Sequence, residues 1–267
     1  MSTQTAISVI TPSFNQAGFI ERTLQSVQRQ EVDGVVEHIV MDGGSTDGTL
    51  EILNRYSGAI QYKTAPDLGM QDALNKGFSM ATGEIIGWLN SDDTYLPGAL
   101  QKAASYFSEH PECLWIYGNC RMVDEEDREV RKWITAYKNR LSRKYSYNKL
   151  LTENFISQPA VFIRRSALKA AGPLDISLPT AMDYDLWLRL AKLGNPGYIN
   201  GDLACFRVHR QSISSMNYRK QFEEQYRIHA RYDKSRWRLL KHRMKITMIV
   251  FVYYLLEKGK SFSGKKG

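Results

Sequence analysis

The chain has 267 residues, 43% of them apolar and 24% charged, and carries no low-complexity tract or internal repeat, which excludes disordered scaffolds and solenoids. Its formal charge of +8 is unevenly placed: residues 219–245 hold ten Lys/Arg against three Asp/Glu, residues 246–267 four against one, and the remaining body nets −2. A mildly acidic body with a basic tail argues against a nucleic-acid partner for the main domain.

Cys113, Cys120 and Cys205 match no zinc or redox spacing. The first five residues are polar and run straight into an apolar segment. Both features predict a reducing, cytoplasmic setting without a secretory leader.

Residues 6–11 (AISVIT) form a β-branched run ended by Pro12, the pattern of a buried strand. Residues 18–30 place Phe19 or Ile20, Leu24 and Val27 at helical spacing. A second strand is predicted over 38–41, followed by Asp42-Gly43-Gly44 and a helix capped at Thr46-Asp47. A weaker strand at 60–64, a helix at 70–80 and a strand at 84–89 follow, the last stopping at Asn90-Ser91-Asp92-Asp93. Residues 96–108 and 184–193 predict further helices, and 114–118, 160–163 and 198–208 further strands of a mixed sheet. Strands alternating with helices at this spacing predict an α/β chain built on βαβ units.

Three acidic clusters follow predicted strands or open predicted helices. In open α/β sheets, ligands bind where loops leave the strand ends. Adjacent carboxylates such as Asp92 and Asp93 repel unless a cation lies between them, and Mg²⁺ or Mn²⁺ is commonly held by one or two carboxylates plus phosphate oxygens. The alternative is a helix cap at Asp93 or Thr94. The glycines after Asp42 let backbone approach a ligand, although taken alone they are better accounted for by a tight strand-to-helix turn. The segment is neither a Walker loop nor a GxGxxG fingerprint. Asp183 and Asp185 cannot share one helix face; Asp183 is either an N-cap or a general base at a cleft edge. His209, after a strand-like stretch, reads as a ligand or as an ordinary hydrogen-bonded histidine.

Taken in order, these segments resemble the family-two glycosyltransferases. The resemblance is carried by Ile7-Ser8-Val9-Ile10-Thr11-Pro12-Ser13-Phe14-Asn15, Val40-Met41-Asp42-Gly43-Gly44-Ser45-Thr46-Asp47-Gly48-Thr49 and Trp88-Leu89-Asn90-Ser91-Asp92-Asp93. Gln158-Pro159-Ala160 and Met182-Asp183-Tyr184-Asp185-Leu186-Trp187 match later landmarks, and Pro66-Asp67-Leu68-Gly69-Met70-Gln71-Asp72-Ala73-Leu74-Asn75-Lys76-Gly77 is similar to a bacterial, polysaccharide-type subgroup. The match runs over residues 7–215 and implies a GT-A fold, a Rossmann-like mixed sheet flanked by helices, with residues 216–267 as a basic helical extension.

The resemblance further implies that Thr11, Pro12, Ser13, Asn15 and Asp42 line the donor's base and ribose pocket, closed by Asp67, Asp72 and Asn75. Asp92 and Asp93 would hold the divalent cation on the donor diphosphate, His209 would add a metal contact, and Asp183 would be the catalytic base. Two departures stand out. Asp42-Gly43-Gly44-Ser45 replaces the family's frequent Asp-Asp-Gly-Ser, and Asn90 stands where many members begin an Asp-x-Asp.

The expected activity is an inverting, metal-dependent transfer from a UDP-, dTDP- or GDP-sugar to a glycan or lipid-linked acceptor. A sugar nucleotidyltransferase is disfavoured because residues 11–18 carry no basic side chain. In the tail, Trp237, Leu240, Met244, Met248, Phe251 and Leu255 form one apolar helical face among basic residues. That face either packs on the domain or lies on an anionic membrane at its inner surface; residues 246–256 are too few to span a bilayer, which takes roughly 20.

Overall fold

The computed structural model describes residues 5–210, 212 and 217–263, with backbone alone for Thr5, Tyr218 and residues 251–263. Its strands are β1 (Thr5–Ser13), β2 (Gly34–Asp42), β3 (Gln61–Thr64), β4 (Ile85–Trp88), β5 (Thr94–Tyr95), β6 (Trp115–Val123), β7 (Val161–Arg164) and β8 (Gly197–Arg207). They form one sheet in the order β3-β2-β1-β4-β7-β6-β8-β5. The half from β3 to β4 is parallel. β7 runs antiparallel to both β4 and β6, β8 is parallel to β6, and β5 is antiparallel to β8. The sheet is therefore mixed, parallel where the sequence shows βαβ alternation and of both senses beyond it.

The helices are α1 (Ile20–Gln28), α2 (Thr49–Arg55), α3 (Met70–Met80), α4 (Ala99–Glu109), α5 (Lys132–Ser142), α6 (Tyr147–Thr152), α7 (Arg165–Ala171), α8 (Met182–Leu193), α9 (Tyr218–Tyr232) and α10 (Arg236–Ser263). α1 buries Ile20, Leu24 and Val27, as the spacing predicts. Central strands are apolar on both faces: Ile7, Val9, Ile10, Ile39, Val40, Ile85 and Ile86 are all buried, as expected for a sheet covered on both sides.

β1 does not end at Pro12 but continues to Ser13, paired through Pro12↔Met41 and Ser13↔Asp42. Leu89 N–H donates to the Ile10 carbonyl and Gly43 N–H to the Ser13 carbonyl. That alternation turns Pro12 toward β4, beyond the last β1–β4 pair at Ile10↔Trp88, so its missing N–H removes no ladder bond.

Several boundaries differ from the sequence reading. α4 begins at Ala99 after a left-handed Gly98, so neither Asp93 nor Thr94 caps it; Thr94 instead pairs with Cys205 in the two-residue strand β5. Helix α2 follows a left-handed Gly48, and Asp47 accepts the Thr49 N–H from just outside it. The boundary placed between residues 215 and 216 lies outside the described residues. Beyond it, α9 packs on the body through buried Ile228 and Glu224, while His229 faces α10. On α10, Trp237, Leu240, Met244 and Met248 are exposed; the Phe251 and Leu255 side chains lie outside the described residues. Among the described residues no helix is long and apolar enough to cross a membrane.

Candidate active site

The loops leaving β1 and β2 are clasped together by side chains of the Ser45-to-Thr49 segment. Ser45 Oγ accepts the Asn15 N–H at 2.8 Å, Thr49 Oγ1 that of Gln16 at 2.9 Å, and Asp47 Oδ2 that of Ala17 at 3.0 Å. Asn15 adopts φ 53°, a conformation asparagine tolerates better than most residues, and its Oδ1 accepts the Thr46 N–H at 2.9 Å. The hydroxyls and carboxylate of this motif are thus needed to hold one loop against the next.

Asp42 is buried, and its carboxylate holds the turn. Ser45 Oγ donates to Oδ1; Gly44 N–H, Ser45 N–H and Thr64 Oγ1 donate to Oδ2. Oδ2 is saturated and Oδ1 keeps acceptor capacity, so Asp42 shapes the turn with one oxygen and has room for a further donor on the other. Thr11 bonds His38 at 2.9 Å, and burial pushes the His38 imidazole down to about 4, keeping it neutral. Ser13 Oγ is buried without a hydrogen-bond partner.

Gly43 sits against Asp67. A Cβ on Gly43 would lie 2.7 Å from Asp67 Oδ2, so the Asp67 carboxylate, arriving from the loop after β3, occupies the space beside the turn where a side chain at position 43 would begin. Asp67 Oδ1 is held by the Gly69 N–H at 2.8 Å. The other two expected pocket residues face other tasks. Asp72 accepts from Leu68 N–H and pairs with Lys76 at 2.7 Å, a bond that holds its carboxyl below the usual range. The Asn75 amide exchanges both of its bonds with the Leu174 backbone, at 2.8 and 3.0 Å.

The acidic loop after β4 separates its two carboxylates. Asp93 is fully enclosed; its Oδ1 accepts the Arg207 N–H at 2.9 Å, and its Oδ2 faces the Asn90 amide at 3.4 Å. Burial and the adjacent Asp92 push its carboxyl well above the usual range. Asp92 is the more open of the two, and its Oδ2 stands 2.9 Å from His209 Nε2. Phe19 packs against the His209 ring at a tilt of 37°, with centroids 4.5 Å apart. The pair is joined by a direct hydrogen bond, and a hard divalent cation would have to replace its proton; neighbouring octahedral ligands at about 2.1 Å also stand roughly 3 Å apart, so the spacing accommodates that exchange. Among the described residues no group of three or more His, Cys, Asp and Glu stands together, so further ligands would come from phosphate or water.

Asp183 lies in the first turn of α8, whose N-cap is Ala181, not Asp183. It lines a cleft of about 460 Å³ bounded by α5, residues 152–158, β8, α9 and α10. Its Oδ2 accepts from Asn154 at 3.2 Å, while its Oδ1 is buried and has no partner. Burial raises its carboxyl above the usual range. Asp185 is turned elsewhere, bonded to Arg189 and Tyr232. Gln158 lines the same cleft and joins it to the acidic loop: its Oε1 accepts from Asn90 at 3.1 Å, and its Nε2 donates to the Trp88 carbonyl. The strand-end turns, the acidic loop and the cleft of Asp183 therefore share one rim of the sheet.

Two residues that hold this site give no local signal. Arg207, 1% exposed, donates Nε to the Asp92 carbonyl and its guanidinium nitrogens to Asp124 and Asp127. Glu224 on α9 accepts from Thr180 N–H, Thr180 Oγ1 and Ala181 N–H at 2.9, 2.7 and 3.1 Å, capping α8 from another element. Their partners lie 43 to 115 residues away in sequence, beyond any motif.

A mixed sheet of this order with acidic loops at one rim defines a GT-A fold. The chain belongs to glycosyl transferase family 2, whose family model matches residues 8–172. It is 30% identical over 215 residues to TuaG of Bacillus subtilis, named for teichuronic acid biosynthesis, covering 78% of this chain and 81% of TuaG. It is 29% identical over 197 residues to a PGL/p-HBAD biosynthesis glycosyltransferase of Mycobacterium bovis, covering 72% of this chain and 71% of the relative. Among solved structures it is similar to the mannosyltransferase PcManGT of Pyrobaculum calidifontis in complex with GDP-Man and Mn²⁺, with a TM-score of 0.68, 19% identity and coverage of 99% and 82%. It is also similar to S. aureus TarS 1-349 in complex with UDP-GlcNAc, with a TM-score of 0.66 and 20% identity; the match covers 84% of this chain and 65% of that one.

Proposed function

We propose that the chain transfers a sugar from a nucleoside-diphosphate sugar (UDP-, dTDP- or GDP-linked) to a hydroxyl of a glycan or lipid-linked acceptor, with inversion, in cell-surface polysaccharide synthesis. The observation that carries this reading is the unpartnered, buried Oδ1 of Asp183 in a cleft joined by Gln158 to the Asp92 loop.

On the donor side, Thr11, Pro12, Ser13 and Asn15 line the approach to the base and ribose, and the Ser13 hydroxyl supplies an uncommitted donor and acceptor. Asp67 faces the nucleotide in place of a carboxylate at position 43. Asp42, Asp72 and Asn75 fix the walls. Asp92 and His209 would hold Mg²⁺ or Mn²⁺ directly, with Asp93 setting the loop through Arg207. When bound, the cation stabilises the charge that develops on the leaving diphosphate.

Asp183 takes the proton of the acceptor hydroxyl while that oxygen bonds to the anomeric carbon and the bond to the diphosphate oxygen breaks. One attack from the opposite face inverts the centre. Residues 1–215 would form the catalytic domain and 216–267 its basic extension, working at the inner, cytoplasmic face of a membrane. Replacing Asp183 with Asn should lower transfer by about 10²–10⁴-fold and leave donor affinity intact; normal turnover in that variant would remove Asp183 from the mechanism.

A further inference from the structure

We infer that the cleft beside Asp183 is an acceptor site for an amphiphile, with α10 as one of its walls; this rests on the reading of Asp183 as the acceptor-facing base. The cleft holds the polar Asp183, Asn154, Gln158 and Lys138 beside buried Ile156, and on its α5 and α10 walls the apolar Trp133, Ile134, Ile246, Met248 and Ile249 stand among Lys245 and His242. Trp133 is 58% exposed and Met248 62% exposed, which places them at the mouth, while Asp183 Oδ1 is closed off from solvent. A ligand that presents a hydroxyl to Asp183 and an apolar or aromatic group to Trp133 and Met248 matches both ends of this space. A wholly polar acceptor would set its hydroxyls against these apolar side chains and gain nothing from burying them.

α10 is tied to this wall. Lys245 reaches Glu153 at 3.0 Å, and the same carboxylate accepts from Tyr137 on α5 at 3.1 Å. Glu153 thus links α5 and α10 beside the cleft. Met248 also continues the exposed row of Trp237, Leu240 and Met244, which runs among Arg236, Arg238, Lys241 and Arg243. The apolar end of an acceptor leaving the cleft would meet this row, a basic and apolar surface suited to anionic lipid.

The test compares n-octyl β-D-glucoside, below its micellar concentration, with methyl β-D-glucoside, by saturation-transfer NMR and calorimetry on the full chain. The octyl glycoside should bind at least ten-fold more tightly. Trp133→Ala at the rim and Ile249→Ser on α10 should each remove most of that preference, while Met244→Asp, outside the cleft, should keep it. All three should retain Mn²⁺-dependent thermal stabilisation by nucleotide sugars, which shows them folded. Equal affinity for the two glycosides, or a preference lost only in Met244→Asp, would overturn the proposal. The readout is binding, so a turnover-competent Asp183→Asn would defeat the base assignment while leaving the octyl preference to stand or fall by itself.

Discussion

The backbone N–H of Arg207 donates to Asp93 Oδ1 at 2.9 Å, and this bond fixes the acidic loop after β4 to the strand that delivers His209. The carboxyl of Asp93 is pushed upward by burial and by Asp92, so its charge is a cost and its acceptor oxygen is what the fold needs. Asp93→Asn should therefore keep stability within about 1 kcal/mol, whereas Asp93→Ala, which strands a buried N–H, should lose about 1–3 kcal/mol. Denaturant melts check this, and Mn²⁺ titration separates the roles: affinity should fall sharply in Asp92→Asn and far less in Asp93→Asn.

As the proposed base, Asp183 works in its ionised form, and burial holds its carboxyl above the ordinary value near 4. Activity should accordingly rise with pH along an acid limb displaced above that value. The Asn154 bond to Asp183 Oδ2 favours the charged form, so Asn154→Ala should move the limb further up. A profile of kcat/KM against pH on both proteins reads the shift; an unchanged limb would uncouple Asn154 from the base.

Glu224 caps a helix it does not belong to. Glu224→Ala leaves the N–H groups of Thr180 and Ala181 without their acceptor, for a stability loss of about 1–3 kcal/mol. Because Asp183 rides on that first turn, kcat should drop while donor affinity holds. Glu224→Gln, which keeps an acceptor oxygen, should recover much of both.

The contact between Gly43 and Asp67 calls for a double-mutant cycle. Gly43→Ala alone would press a Cβ against Asp67 Oδ2 and should weaken nucleotide-sugar binding several-fold. Asp67→Ala alone should weaken it by loss of the carboxylate. In the double variant the clash is gone, so the two effects should be clearly less than additive; strict additivity in calorimetry would mean the residues act separately.

His229 and His242 meet between α9 and α10, Nδ1 to Nδ1 at 2.6 Å. Burial lowers both, His242 to about 3. The unfolded chain binds these protons near the ordinary value of about 6.5, so the folded state is stabilised above that pH and loses stability progressively as pH falls from there toward 3. Hydrogen exchange should show α10 loosening between pH 7 and 5 in the native chain, and less so in His242→Gln.

The rim of the sheet was legible because its signals are local. Apolar runs mark β1, β2 and β4; Pro12 signals the end of the first, Asp42 with its glycines that of the second, and Asp92-Asp93 that of the third. The clasp formed by Ser45, Asp47 and Thr49 explains why that motif reads so clearly: each side chain holds a backbone N–H of the neighbouring loop. What stayed hidden depends on distant partners. β5 is two residues long and exists only because β8 pairs with it. Asp93 looks like a cation ligand until Arg207 is seen to claim it, and the missing carboxylate at position 43 makes sense only once Asp67 is found in its space. Helices α5 and α6 went unforeseen because the stretch between residues 124 and 154 has little apolar periodicity, and α5 buries only Thr135 and Ser142.

The central claim is that Asp92 and His209 grip a cation, and through it the donor diphosphate, on the same rim as Asp183. Calorimetric titration of UDP- and GDP-sugars, with Mn²⁺ and with a chelator, tests it on the native chain, Asp92→Asn and His209→Ala. Donor binding should require Mn²⁺ in the native chain and weaken strongly in both variants. Equal donor affinity with and without metal, or full affinity in Asp92→Asn, would contradict it.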